Sequence, residues 1–158
     1  MSGIFTLSIE CVGGRYLNEQ YQFVTEAPVE LTMGDLASHI LNVVDFEGDH
    51  LAEFYLANGP RGRKTWLTPN GNWDEADSAR VTDIPLSAVF PLPKNKRLYF
   101  FYDFGASWCF QIAKRGKETN RQPEIEYPCV VSETGLKPNE FGDDEEWEGD
   151  DEGDSVAD

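Results

Sequence analysis

The chain has 158 residues, of which 40% are hydrophobic and 13% aromatic; this is enough for one domain with an ordinary core and excludes a disordered chain. Its 13 basic and 29 acidic residues give a formal charge of -16, so the chain lacks the overall positive field with which proteins hold phosphate backbones or anionic lipid. Its apolar runs are shorter than the roughly 18 residues of a membrane span, and Met1–Phe5 lacks the basic and apolar parts of a secretory signal, so we expect a cytoplasmic protein.

The first third of the chain predicts a β-hairpin followed by a helix. Apolar and polar side chains alternate over residues 5–11, which is the period of a strand with one buried face. Residues 21–24 indicate a second strand that pairs back on the first. Thr32 is a candidate N-cap, and apolar residues at helical spacing predict a helix over residues 33–45.

The middle of the chain predicts a strand, a loop and a short helix. Alternating apolar residues indicate a third strand over residues 52–56. Residues 61–79 are mostly polar and predict a long loop in which Trp66 and Trp73 are the apolar anchors. Residues 82–90 have a proline in their first turn and predict a short helix capped at its first residue.

The strongest β signal lies in the second half of the chain. Arg97–Phe104 is apolar enough on both sides to be a central strand, and Gly105 opens a turn. The returning strand places Trp108, Phe110 and Ile112 on one face. Strands first and last, with a helix after the opening hairpin, predict an α+β domain with a mixed or antiparallel sheet in a β-grasp-like arrangement.

Charge divides the chain into two parts. Residues 142–158 contain ten acidic residues and no basic one, and we expect this acidic tail to be disordered because its few apolar side chains do not offset the entropy of ordering it. Residues 1–141 hold 19 acidic residues (29 less 10) and 13 basic ones, a net charge of -6, and are expected to form the folded domain. The tail is interpreted first as a solubilising segment and second as a handle for a basic partner protein.

Three short segments carry a resemblance to a known family. They are His50-Leu51-Ala52-Glu53-Phe54, Tyr102-Asp103-Phe104-Gly105-Ala106-Ser107-Trp108 and Tyr127-Pro128-Cys129, in that order. Together they resemble the plasmid pRiA ORF-three-like family, whose members are sometimes labelled passenger proteins of insertion elements. The resemblance covers residues 5–142 and implies a compact α+β, β-grasp-like domain with no assigned activity. The mobile-element label describes which genes lie near those of family members more than it describes a chemical activity.

The chain departs from this family at several polar positions. Family members commonly read His-x-His-x-Phe, whereas this chain has Ala52 in place of the second histidine. They often carry Asp after the Phe-Gly pair and His two residues after the tryptophan, where this chain has Ala106 and Phe110. A metal or acid-base site implied by the family is therefore not carried over intact, and we predict neither a metal nor a cofactor.

The cysteines and the first histidine offer little chemistry. Cys11 and Cys109 are interpreted as buried small hydrophobes, and Cys129, in a loop-like region, is the thiol to test for reactivity. Three cysteines without a CxxC pair do not predict a disulfide framework. His39 borders the apolar stripe of the predicted helix and is expected at the surface.

An enzyme would have to be built around His50, Glu53 and Asp103, the weak catalytic candidates. His50 lies at a strand start between carboxylates, which raise the pKa of an imidazole and orient its ring. Asp103-Phe104-Gly105 matches the metal-binding tripeptide of protein kinases, but without a GxGxxG loop or an HRD segment the match is a coincidence. The plainer interpretation of Asp103 is an acceptor for turn amides.

Ligand or partner contacts are predicted at one basic loop. Arg61, Arg63 and Lys64 are interpreted as the sole concentrated basic cluster. Trp66 and Trp73 follow closely, and cations beside aromatic rings hold phosphates and stack bases. Because three charges make a small footprint in a domain of net charge -6, a solvated loop, or one that attracts the acidic tail, is favoured over a nucleic-acid contact.

The sequence therefore predicts a non-enzymatic binding or interaction module. It contains no glycine-rich phosphate loop, no second histidine beside His50 and no nucleophile with an identifiable base. Two alternatives stay open. One is a small metal-assisted or hydrolytic enzyme around His50, Glu53 and Asp103, and the other is a mobile-element accessory protein that contacts nucleic acid through the loop from Arg61 to Lys64.

Overall fold

The structure of the chain is a computed structural model that describes residues 3–14, 17, 20–46, 52–59, 62–67, 73–74, 84–102 and 107–138. Within these residues the chain forms eight strands and two helices. The strands are β1 (Gly3–Gly13), β2 (Tyr21–Pro28), β3 (Ala52–Ala57), β4 (Thr65–Leu67), β5 (Trp73–Asp74), β6 (Arg97–Tyr102), β7 (Trp108–Asn120) and β8 (Cys129–Gly135). The helices are α1 (Met33–Val44) and α2 (Leu86–Val89).

The described strands form one sheet in the order β5-β4-β3-β6-β7-β1-β2-β8. Each neighbouring pair in this order is antiparallel. The chain is therefore an α+β domain built on an antiparallel sheet. The predicted opening hairpin, the helix that follows it and the hairpin of β6 and β7 are confirmed.

Helix α1 begins and ends at residues suited to those positions. The Thr32 side chain accepts a hydrogen bond from the Asp35 amide at 3.1 Å, which satisfies one of the free N–H groups of the first turn. At the other end Asp45 adopts a left-handed conformation, with φ of 64°, and its amide bonds back to the last turn. The helix buries an apolar stripe against the sheet: Met33, Leu36, Ile40, Leu41 and Val44.

A row of paired apolar side chains crosses the middle of the sheet beneath α1. The register places Phe54 opposite Phe100, Phe100 opposite Phe110, and Phe110 opposite Cys11. The ring centroids of Phe54 and Phe100 are 5.1 Å apart, and those of Phe100 and Phe110 are 6.1 Å apart. Side chains paired across strands lie on one face, so the predicted central hairpin is the floor of the main core.

The structure corrects the prediction of a loop over residues 61–79. Part of that range forms β4 and β5, and β4 pairs with β3 so that Trp66 lies opposite Tyr55. These strands are three and two residues long, too short to show a period of two in the sequence. Their pairing depends on the edge that β3 offers, which is a tertiary feature.

The structure also contains strand β8 where the sequence predicts a loop-like region at Cys129. β8 lies at the edge of the sheet and pairs with β2 alone among the described strands. Its residues after Cys129 are all exposed, so no alternation of buried and exposed positions marks it in the sequence.

The short helix α2 is confirmed, but its start differs from the prediction. Thr82, the predicted cap, lies outside the described residues, and the N-cap position is occupied by Pro85 without a side-chain hydrogen bond. The Leu86 amide instead donates to the Leu31 carbonyl at 2.8 Å. The helix is thus fixed by the segment that precedes α1. Neither described helix has the length and apolar content needed to cross a bilayer.

Candidate anion-binding cleft

A cleft opens where β6 begins and β7 continues past it. Leu98 of β6 pairs with Ile112 of β7, whereas β7 runs on to Asn120 with β1 as its neighbour. The step leaves a cavity of about 550 Å³. Its walls are Phe90, Pro91, Leu92, Lys96, Arg97, Gln111, Ile112, Ala113, Lys114 and Arg115. We refer to this cavity as the basic cleft.

Four cationic side chains surround the basic cleft: Lys96, Arg97, Lys114 and Arg115. Lys114 and Arg115 are consecutive in β7, so they point to opposite faces of the sheet and the cleft wraps around the strand edge. Arg115 donates to Ser8 Oγ at 3.5 Å, and Lys114 Nζ donates to the Gly116 carbonyl at 3.0 Å. In the part of the chain that the structure describes, no carboxylate forms an ion pair with these four cations.

The basic character extends beyond the cleft walls. Residues 84–102 and 107–117 together contain six basic residues and no acidic one, so the region carries a local positive field in an otherwise acidic chain. This corrects the prediction that residues 61–64 are the sole concentrated basic cluster, since residues 94–97 and 114–117 each hold three cations as well. That density is visible in the sequence, but that the two runs meet is decided by the pairing of β6 with β7.

One wall of the basic cleft is apolar and firmly packed. Phe90 is buried and sets its ring edge against Phe5, with centroids 6.0 Å apart. Ile112 is buried on the adjacent strand, and Leu92 packs partly against the same core. Apolar walls with a few convergent polar groups are typical of small-molecule sites. The cleft therefore suits an anion that carries a carbon skeleton.

A pair of stacked tyrosines connects the basic cleft to the predicted basic loop. The rings of Tyr55 and Tyr99 lie 5.2 Å apart on the sheet face opposite α1, and the two residues are 1% and 0% exposed. Lys64 Nζ lies 5.0 Å from the centroid of the Tyr55 ring, a cation–π contact. At the other end the Tyr99 hydroxyl group donates to Gln111 Oε1 at 3.4 Å, and Gln111 lines the basic cleft. Burial raises the pKa of both tyrosines, so both hydroxyl groups are protonated at neutral pH.

The other predicted contact residues are only partly described. Arg61 lies outside the described residues, and Arg63 is exposed. Trp66 and Trp73 belong to strands β4 and β5, so they are placed at the edge of the sheet instead of in a loop. Their predicted role as contacts stays a prediction.

Two of the three catalytic candidates, His50 and Asp103, lie outside the described residues. Glu53 is placed in β3, opposite Phe101 of β6. Among the described residues no group of three or more histidine, cysteine or carboxylate side chains is arranged to hold a metal ion. An enzyme around these three residues stays a prediction.

None of the three thiols has the environment of a nucleophile. Cys11 and Cys109 are buried as predicted, and burial raises the pKa of Cys109 and raises that of Cys11 to about 12. Cys129 lies at the start of β8, where burial and then the nearby Glu26 carboxylate raise its pKa. A reactive cysteine needs a lowered pKa, so the environment of Cys129 opposes the reactivity for which it was singled out.

His39 is not the free surface residue that the sequence indicated. Its ring is half-buried and sets its edge against Phe23, with centroids 6.2 Å apart. Its Nε2 lies 2.8 Å from Thr25 Oγ1, and burial lowers the pKa of the imidazole. His39 therefore ties α1 to β2, which is a structural role.

Comparisons with known proteins bear on the family and the fold. Among solved structures, the chain is similar to a protein of unknown function from Methanosarcina mazei Go1, with a TM-score of 0.62 and 26% sequence identity over 84% of this chain and 70% of that chain. A comparison with curated proteins found no match. The sequence matches the family described as plasmid pRiA4b ORF-3-like protein over residues 24–147, which is more than half of the chain and confirms the resemblance carried by the three motif segments. The chain belongs to the plasmid pRiA4b ORF-3-like family.

Proposed function

We propose that the chain is a non-enzymatic binding module that holds an anionic ligand in the basic cleft. The observation that carries this proposal is the set of four cations around one cavity, none of which pairs with a carboxylate in the described residues. Like charges gathered in this way repel one another and sustain a positive potential. A bound anion relieves that repulsion, so the cleft favours the liganded state.

The lining of the cleft indicates the class of ligand. Its volume of about 550 Å³ falls within the roughly 300 to 1,000 Å³ of small-molecule sites. Arg97 and Arg115 supply planar guanidinium groups, which match the paired oxygens of carboxylates and phosphates. Phe90 and Ile112 supply apolar surface beside them. A small organic phosphate or polycarboxylate fits this combination.

Thermal unfolding with added anions tests the proposal. Pyrophosphate and citrate serve as probes, and sodium chloride at matched ionic strength corrects for screening. A ligand present at about a hundred times its Kd stabilises the folded state by about 2.7 kcal/mol. We expect the double variant Lys96→Gln/Arg115→Gln to lose this stabilisation. The matched control is Lys94→Gln, an exposed lysine outside the cleft, which should respond as the parent chain does. An equal response of the double variant and the parent chain would show that the cleft is not the site.

A nucleic-acid ligand bound through Arg61, Arg63 and Lys64 is the second candidate function. The observation that favours it is the contact of Lys64 with Tyr55, which stacks on Tyr99. Tyr99 in turn donates to Gln111, which lines the basic cleft. The chain would then bind an oligonucleotide with an affinity that falls steeply as the salt concentration rises. Arg63→Gln/Lys64→Gln should then reduce both the affinity and the salt slope, and the absence of salt-dependent binding would exclude this candidate.

We also propose that the fold is β-grasp-like. A β-grasp-like arrangement is supported by the opening hairpin, by the helix that crosses one face and by the later strands that join the same sheet. An experimental structure that includes residues 68–72, 75–83 and 103–106 tests it.

A further inference from the structure

One edge of β7 has no neighbouring strand in the described part of the chain. β7 pairs with β6 as far as Ile112, whereas on its other side it pairs with β1 as far as Asn120. Residues 114–120 are all exposed, and we refer to them as the free edge. An open strand edge presents unpaired N–H and C=O groups, to which an extended chain adds by backbone hydrogen bonds.

The charge of the free edge restricts what can add to it. Lys114, Arg115 and Lys117 lie on it, and its one acidic residue, Glu118, has its carboxyl group against Gly3 of β1. Cations on an open edge repel a second copy of that edge and make the pairing of a neutral strand costly. An acidic segment is the exception, because its carboxylates pair with these cations while its backbone completes the ladder.

The chain itself contains such a segment. Residues 143–152 include eight carboxylates and no cation. They lie outside the described residues, which end at Pro138, three residues after β8. The sequence predicts that the acidic tail binds a basic partner protein. The basic cleft and the free edge offer residues 143–152 of that tail a surface of opposite charge within the same chain.

The distance from β8 to the free edge is within reach of this segment. Gly135 pairs with Tyr21, Tyr21 with Cys11, and Cys11 with Phe110. The free edge is on the side of β7 that faces away from β8, so a segment docked on it lies four strand spacings from β8, or about 19 Å, and Lys114 lies four residues further along, another 13 Å or so. The straight-line separation is about 23 Å, and the connection passes over one face of the sheet. The chain from residue 136 spans up to about 26 Å by residue 143 and about 36 Å by residue 146 when extended, so the acidic run reaches the free edge.

We propose that residues 143–152 dock in extended form along the free edge of β7 and into the basic cleft. The cleft is then occupied by the chain's own acidic segment, and a free anion must displace that segment in order to bind. This inference rests on the proposed function, because both use the cations of the cleft, and adds that the first ligand of the cleft is an acidic peptide.

Amide hydrogen exchange in the full-length chain tests the docking. In the amide variant, eight carboxylates become carboxamides: Asp143→Asn, Asp144→Asn, Glu145→Gln, Glu146→Gln, Glu148→Gln, Asp150→Asn, Asp151→Asn and Glu152→Gln. In the parent chain at about 0.05 M salt we expect the outward amides of residues 114–120 to exchange at least about tenfold more slowly than in the amide variant. At about 0.5 M salt the difference should disappear. The matched control, Glu124→Gln/Glu126→Gln, removes exposed carboxylates outside the run and should behave as the parent chain does.

Two results would overturn the inference. Equal exchange in the parent chain and the amide variant at low salt would show that the segment does not dock. Protection that weakens on dilution of the protein would show that a second copy supplies the segment. Pyrophosphate binding separates this failure from failure of the proposed function. We expect the amide variant to bind pyrophosphate at least about tenfold more tightly than the parent chain, because no competitor remains. Equal affinity in both would contradict docking and leave the proposed function standing, whereas binding by neither chain would contradict the proposed function.

Discussion

The hydroxyl group of Thr25 joins three elements of the fold, and its removal offers a sharp test of the described packing. Thr25 Oγ1 donates to the Cys129 carbonyl at 2.8 Å and lies 2.8 Å from His39 Nε2. Because a hydroxyl group has one proton and the carbonyl receives it, His39 must donate its Nε2–H to the hydroxyl oxygen. One fully buried side chain on β2 thus holds both α1 and β8.

We expect Thr25→Val to destabilise the fold by about 1 to 3 kcal/mol. Valine has nearly the same shape, so the change removes two hydrogen bonds and opens no cavity. Each bond contributes about 0.5 to 1.5 kcal/mol, and the Cys129 carbonyl and the His39 N–H are left unpaired in partly buried positions. For a chain of this size the loss corresponds to a decrease in Tm of about 2 to 12 °C, at about 2 to 4 °C per kcal/mol.

Urea denaturation followed by far-ultraviolet circular dichroism measures this loss. The midpoint should fall while the m-value stays constant, since the folded and unfolded states expose the same surface as before. Thr134→Val is the matched control, because Thr134 is exposed on β8 and the exchange there should change stability by less than about 0.5 kcal/mol. If the two variants lose the same stability, the hydroxyl group of Thr25 does not hold these elements together.

Three further predictions concern titration, thiol accessibility and backbone conformation. Burial lowers the pKa of His39 below its usual 6.5. As the pH falls through 6.5, the unfolded chain therefore takes up a proton that the folded chain excludes, and the free energy of unfolding should decrease. Urea midpoints between about pH 5 and pH 7 should show this decrease, and His39→Gln should show a smaller one. A maleimide should modify the half-buried Cys129 in the folded protein, more slowly than a free thiol because its pKa is raised, and should modify the other two thiols only after denaturation. Mass spectrometry that finds Cys11 modified as fast as Cys129 would contradict the described burial of Cys11. Gly135 and Gly116 both have positive φ, 93° and 68°, but a Cβ at Gly135 would overlap the backbone before β2, whereas one at Gly116 meets open space. Gly135→Ala should therefore destabilise the fold more than Gly116→Ala, which should lower the free energy of unfolding by only about 1 kcal/mol. Equal midpoints of the two variants in urea would refute the close approach at Gly135.

The elements that could be predicted from the sequence are those whose signal is local. The alternation over residues 5–11 marks β1 because that strand buries one face, and Thr32 marks the start of α1 because a cap bonds within its own turn. The pairing of β6 with β7 follows from two apolar runs joined by a short connection. Composition and patterning therefore determined the α+β class and the main core.

The elements that could not be predicted depend on a neighbour distant in sequence. β8 is exposed along its length after Cys129 and exists because β2 offers an open edge, whereas β4 and β5 are too short to show any period. The sequence predicts a surface position for His39 because its partner Thr25 lies on another element and leaves no local signal. In each case the stabilising contact crosses between segments that local sequence does not connect.

The basic cleft, like the fold, has one part that the sequence determines and another that only the tertiary structure decides. The sequence by itself determined that the chain is acidic overall and that cations are concentrated in short runs, including residues 94–97 and 114–117. Only the tertiary structure decided that these two runs share one cleft, because β6 starts beside the middle of β7 and leaves the rest of that strand open. Strand register is a cooperative property of the whole sheet, and so the meeting of the two basic runs cannot be derived from either run alone.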